Sequence, residues 1–249
     1  MATIRRRRCP YTGSMSRVDD LERFYELIDR QRRAVGGARL LSDCSKATGW
    51  PSYGVYFFFE DGERREAGGP RIVRVGTHAV SVGSKTTLWN RLAAHRGTVG
   101  GSQDGGGNHR GSIFRLHVGK ALLARDSFDE EAAATWGAGA SAPTAVREAE
   151  YPIELAVSRY ICAMPVLWVG IPGDAGPTSD RKLVEAGAIA LLSNRGRERI
   201  DPPSPGWLGR FSPHPAIRES GLWNVEHVDE RHDAAFLNVL DDYVRSARS

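Results

Sequence analysis

The chain has 249 residues, of which 41 % are hydrophobic and 26 % charged, a balance that supports a packed core and excludes a wholly disordered protein. A formal net charge of +4 permits an anionic partner such as nucleic acid without establishing one. The three cysteines, Cys9, Cys44 and Cys162, fall at no metal-ligand spacing, which argues against a zinc finger or a disulfide framework.

Residues 1–16 read as a flexible basic arm. No apolar stretch follows its cluster Arg5–Arg8, as a signal peptide would require, and no apolar run approaches the ~20 residues of a membrane span, so a cytoplasmic protein without membrane contact is expected. An N-terminal helical segment covers 17–49. Within it, 17–34 is amphipathic, because Leu21, Phe24, Tyr25 and Ile28 recur at helical spacing, Asp19 and Asp20 favour the N-terminal end, and Gly36-Gly37 stops the helix. Gly54–Phe59 and Arg71–Gly76 are strand candidates and antiparallel neighbours, with Glu60 through Pro70 as a turn or long hairpin loop. A helix over 86–95 carries Leu88, Trp89 and Leu92 on its apolar face, and a mobile glycine-rich loop follows at 97–111. Residues 113–124 read as helix with a strand as the alternative, and 130–145 as partly loop.

A helix over 150–163 leads to a short buried strand over 166–171, then to a helix that starts at Ser179 or Asp180 and runs to 192. Residues 201–221 are irregular and proline-rich, and a helix near 233–247 closes the chain. The order predicts an α/β (α+β) fold: a small mixed or antiparallel sheet flanked by helices. The core spans 50–200 with 97–111 as an insertion, and Trp207 and Trp223 are expected to pack a C-terminal extension, 201–249, onto it.

The stretch from 54 to 97 carries the chemistry. A hairpin of two short strands can present Tyr56 and Arg74 or His78 near one face. Arg91 and His95 are four residues apart and share a helix face. A guanidinium offers a planar fork of donors that matches a phosphate, and an imidazole relays a proton near neutral pH. Tyrosine, imidazole and guanidinium converging on one spot suit a phosphodiester. The expectation to test is that the Tyr56 hydroxyl and the Arg91 guanidinium face one cleft.

This pattern resembles the GIY-YIG endonucleases, whose first motif Gly-Ile-Tyr and second motif Tyr-Ile-Gly lie on adjacent strands and precede a helix bearing an arginine. Gly54-Val55-Tyr56 fits the first motif, Arg74-Val75-Gly76 takes the place of the second, and Arg91 and His95 fit the helix. Arg74 stands where the family's tyrosine usually sits, and either Arg74 or the nearby His78 is expected to fill its role. The resemblance implies a metal-binding glutamate on a later helix, followed by an asparagine. Glu185 with Asn194 matches that order, and Glu154 is the alternative ligand. It also implies hydrolysis of DNA assisted by Mg²⁺ or Mn²⁺, possible restriction or defence use, and a homodimer as one way to break both strands. Lys85, Arg96, Arg110 and Arg115 are candidates for contacts to flanking phosphates. Two other readings stay open: a DNA-binding module on the same fold that does not cut, and a protein-interaction domain without nucleic-acid contact. The glycine-rich loop lacks the Lys-Ser or Lys-Thr ending of a phosphate-cradling nucleotide loop, which excludes an NTPase.

Overall fold

The structure, a computed structural model, describes residues 16–247. Apart from Ser16, the basic arm expected at the N-terminus lies outside them. Ser16 caps helix α1 (Arg17–Ala34) with a reciprocal box: its Oγ accepts from the Asp19 amide at 3.2 Å and its own amide donates to Asp19 Oδ2 at 3.0 Å. The helix stops where expected, at Gly36 and Gly37, both of which take positive φ.

Four strands follow: β1 (Arg39–Leu40), β2 (Gly54–Arg64), β3 (Pro70–Gly76) and β4 (Pro165–Gly170), ordered β1-β4-β2-β3 with every pair antiparallel. The sheet is therefore antiparallel rather than mixed. The stretch Glu60–Glu63 is strand, not turn, and the reversal is confined to 65–69, where Gly68 and Gly69 have positive φ. The acidic side chains stay within the strand because each finds donors: Arg71 Nε of β3 gives to Glu63 at 3.0 Å, and Trp207 Nε1 gives to Glu60 at 3.2 Å.

Alternation along β2 divides the interior in two. Val55, Phe57 and Phe59 join a core with α1, α7 (Asp180–Leu192) and α9 (Ala235–Ser246). Tyr56 and Phe58 join another with α2 (Leu88–Arg96), α3 (Ile113–Arg125) and α6 (Tyr151–Cys162). Two short helices, α4 (Glu130–Thr135) and α5 (Thr144–Ala149), lie in the stretch expected to be partly loop. The molecule is thus helices, sheet, helices, and no described helix is long and apolar enough to cross a membrane.

Two features of this arrangement position the site. The register slips between Phe58 and Phe59, whose partners are Arg74 and Ile72, so Val73 is an extra residue in β3. As a result both Val73 and Arg74 face the α3 side, with Val73 in that core and the Arg74 guanidinium over the Phe114 ring. The free edge of β3 is covered by the extension: the Trp223 amide donates to Val73 O at 2.8 Å, and Asn224 gives to Val75 O at 2.8 Å while accepting from Val75 N at 3.1 Å. Asn224 thus supplies the pair of hydrogen bonds that a neighbouring strand would make.

The extension is not wholly irregular. It holds a 3-10 turn at Leu208–Phe211 and helix α8 (Pro215–Ser220), and Trp207 and Trp223 are buried against each other, centroids 5.4 Å apart. The loop over 97–111 is tied down rather than free. Ser158 Oγ donates to Gly106 O at 2.9 Å, Tyr151 Oη donates to Asp104 O at 2.7 Å, and Gly107 lies on the Arg115 guanidinium.

Candidate active site

Both motif glycines sit where the backbone is approached too closely for a side chain. Tyr56 and Gly76 are direct partners across β2 and β3, and a Cβ at 76 would stand 2.2 Å from the Tyr56 hydroxyl oxygen. A Cβ at 54 would stand 2.4 Å from the Val169 carbonyl oxygen. The tyrosine ring thus lies across the second glycine, which fixes where its hydroxyl ends.

Arg91 and His95 reach this place from α2. Thr87 caps the helix, its Oγ1 accepting from the Asn90 amide at 3.2 Å. The two side chains share a face but have different surroundings. His95 is fully buried, with Nε2 2.8 Å from Tyr56 Oη and Nδ1 2.7 Å from Ser112 Oγ. Burial, reinforced by Arg91, Arg74 and Arg115, holds the His95 pKa well below the usual imidazole value, so the ring is neutral at pH 7. Arg91 is half-buried and lines a cavity of about 190 Å³ along the edge of β3. Among the described residues no carboxylate pairs with it.

Arg74, His117, Glu185 and Asn224 line the same cavity. Arg74 donates from Nη1 to Trp223 O at 2.6 Å, and its guanidinium carbon lies 4.6 Å from the Phe114 ring centroid. Burial lowers its pKa; Tyr56 opposes that and Arg91 adds to it. Glu185 is held by the residue after the second motif: the Thr77 amide donates to Oε1 at 3.0 Å. Its Oε2 lies 3.1 Å from Lys182 Nζ, which is also 2.8 Å from His227 Nε2.

The structure therefore brings Arg74, Arg91 and Glu185 together around one cavity, while the Tyr56–His95 pair is buried nearby, close enough for Arg74 to act on both. The expectation of one cleft shared by the Tyr56 hydroxyl and Arg91 is met only by Arg91. Tyr56 is 0 % exposed, closed in by Gly76, His95 and Phe58. Of the two candidates for the second-motif role, Arg74 is in the cavity and His78 is not. His78 Nδ1 lies 2.8 Å from the Thr86 carbonyl oxygen, its ring stacks on Tyr53 with centroids 5.6 Å apart, and burial lowers its pKa to about 4.

Other candidates lie elsewhere. Glu154 is locked in a buried network: Oε1 accepts from the His109 amide at 2.7 Å and from Nδ1 at 3.0 Å, and Oε2 accepts from Arg115 Nε at 3.0 Å. It borders a different cavity, between α2, the 97–111 loop and α6. Asn194 lies beyond the C-terminal end of α7, nine residues after Glu185, and accepts from the Ile200 amide at 2.9 Å. Of the proposed phosphate contacts, Arg115 is fully buried on Glu154 and Arg110 is paired with Glu150, while Arg96 donates to Ser42 O at 2.9 Å and Lys85 is exposed. Burial removes Arg115 from any DNA contact. Sequence reasoning set His117 aside as a metal ligand, because its neighbours are too diverse, and passed over Asn224. His117 lies one helical turn from Ile113, and both line the cavity, but nothing in the sequence marks that face of the helix as the one at the site. Asn224 lies in an irregular segment and carried no signal either.

The donor set fits a hard, largely hydrated divalent cation. Glu185 offers carboxylate oxygens at the cavity wall, and Mg²⁺ is commonly held by one or two carboxylates with waters completing the shell. Lys182 must release Oε2 for that. Among the described residues no group of three or more histidine, cysteine or acidic side chains is gathered, so a caged structural ion does not fit.

A search of curated proteins and of solved structures finds no significant match. A family model described as "GIY-YIG domain" matches residues 15–249, nearly the whole chain. That match agrees with the glycine-framed hairpin, the Arg91–His95 helix and the α+β layers, and the chain belongs to the GIY-YIG family, whose members are nucleases.

Proposed function

We propose that the protein is a divalent-metal-dependent DNA endonuclease and that the cavity along β3 is its active site. The observation that carries this reading is the gathering of Arg91, Arg74 and Glu185 around one cavity, with the hydrogen-bonded Tyr56–His95 pair within electrostatic reach of both arginines. Arg91, with no carboxylate of its own, binds the scissile phosphate and stabilises the charge that develops on it. Hydrolysis forms a bond from a water oxygen to phosphorus, breaks the phosphorus–oxygen bond to the leaving strand end, and sends the water's proton to a base. A neutral His95 that donates Nδ1–H to Ser112 has Nε2 free to receive the Tyr56 proton, so Tyr56 and His95 form the inner end of a proton path. Because Tyr56 is covered, that path reaches the phosphate only when the packing over the hydroxyl opens. Glu185 would hold Mg²⁺ or Mn²⁺, which when bound supplies Lewis-acid stabilisation of the phosphate and leaving oxygens.

Supercoiled plasmid incubated with the protein and Mg²⁺ should be nicked or linearised, and Glu185→Gln and Arg91→Ala should each lower the rate by about 100-fold or more. Wild-type protein that leaves the plasmid intact over a full range of Mg²⁺ and Mn²⁺ would refute the enzyme. The burial of Tyr56 favours one second reading, a non-cutting DNA-binding module, which predicts a salt-sensitive gel shift without cleavage. Arg74 in the second motif supports restriction-type use, since some restriction-type members of the family also lack that tyrosine. Discrete, reproducible fragments rather than a smear would support it.

A further inference from the structure

His117 lines the cavity with both of its ring nitrogens buried and unpaired. It projects from α3, is 5 % exposed, and neither ring nitrogen has a hydrogen-bond partner among the described residues. A buried polar group left this way costs on the order of 1–3 kcal/mol, so such groups in folded proteins usually have a purpose. Its surroundings show which kind of partner is missing. Arg74 faces it from β3, Lys120 from its own helix, and the His214 ring stands edge-on from the extension, centroids 5.4 Å apart. Arg91 and Glu185 line the same cavity. Burial, followed by His214, Arg74 and Lys120, lowers the His117 pKa to about 4, which keeps the ring neutral. A neutral imidazole carries one N–H donor, and a cavity bordered by two guanidiniums is built for an anion.

We propose that His117 is a substrate contact of this site: its ring N–H donates to a non-bridging oxygen of the phosphodiester held by Arg91 and Arg74. The proposal rests on the nuclease reading above and adds a third donor, from a third element, to the phosphate clamp. Arg91 comes from α2, Arg74 from β3 and His117 from α3, so the phosphate is gripped from three directions, and its position depends on how α3 packs against the sheet edge.

The test combines cutting rates with a readout that does not need cutting. His117→Ala should slow plasmid nicking by about 100-fold without lowering the melting temperature, because it removes an unsatisfied buried group. His117→Gln, which restores an N–H at a similar reach but cannot carry a proton, should recover most of the rate. In histidine ¹⁵N-labelled protein, the His117 ring signal should shift when a short DNA duplex with a non-cleavable phosphorothioate linkage is added in Ca²⁺. Wild-type rates in His117→Ala, failure of His117→Gln to recover cutting, or a His117 signal unmoved while the duplex binds would each overturn the contact and leave the nuclease reading standing. A wild-type protein that neither nicks plasmid nor binds the duplex refutes the reading itself.

Discussion

Single atoms decide much of the site. Gly76 has a job that its place at a strand end does not reveal: the Tyr56 ring occupies the space where its side chain would be. Gly76→Ala should therefore push the ring away from His95, destabilise the protein by about 1–3 kcal/mol and reduce cutting more than that loss explains. A thermal melt beside a rate measurement separates the two effects. Glu154 and Glu185 look alike as glutamates on helices, yet one is a structural counter-ion and the other faces the cavity. Glu154→Gln leaves the buried Arg115 guanidinium without its carboxylate and should cost about 3–5 kcal/mol, read as a lower denaturant midpoint. The metal requirement of any cutting that remains should be unchanged. Tyr56 on an apolar strand, Arg91 on a helix and the two glycines could be picked out from spacing. That Glu185 and not Glu154 lines the cavity with Arg74 and Arg91 could not be read from helix pattern, because both glutamates sit on amphipathic helices and only the packing of α6 against α3 binds Glu154 to Arg115 and His109.

Among the elements, the β2–β3 hairpin is the most constrained. Its length was misjudged because Glu60, Asp61 and Gly62 have turn composition, yet Glu60 stays in the strand by reaching partners more than 90 residues away in the chain, Tyr160 and Trp207. That burial raises the Glu60 pKa from 4.5 to about 7, despite the hydrogen bond from Tyr160 that opposes the shift. The folded state therefore binds the proton more tightly than the unfolded chain, and stability falls as pH rises from about 4.5 to 7, by at most about 3 kcal/mol. Lowered pKa values of about 4 at His78 and His117 act the other way: they take stability away as pH falls from 6.5 toward 4. The informative quantity is thus the difference between wild type and Glu60→Gln. Urea denaturation from pH 5 to pH 8 should show the variant losing less stability than wild type over that interval, and parallel curves would show that Glu60 does not titrate there.

For the molecule as a whole, the extension after residue 200 is part of the fold. It buries Trp207, Leu208, Ile217 and Trp223 in one core and Phe236, Leu237, Leu240 and Val244 in the other. Buried side chains of this kind contribute about 1.5–3 kcal/mol each, so eight of them are comparable to or larger than the total stability of an ordinary domain, about 5–15 kcal/mol. A chain ending at Ile200 should show no cooperative melt and should bind a hydrophobic dye. A truncated chain that melts cooperatively and still binds DNA would show instead that the extension is an accessory.

Local rules in the sequence determined the six longer helices, three of the four strands, the two motif glycines and the Arg91–His95 pair, because periodicity, caps and i, i+4 spacing act over a few neighbouring residues, whereas the short helices α4, α5 and α8 fell in stretches read as partly loop or irregular. Tertiary structure alone decided that Tyr56 is covered, that Arg74 rather than His78 enters the cavity, that Asn224 closes the edge of β3, and that His117 lines that cavity. Each depends on a strand edge meeting residues far away in the chain, and contacts of that range leave no period or spacing in the sequence to read.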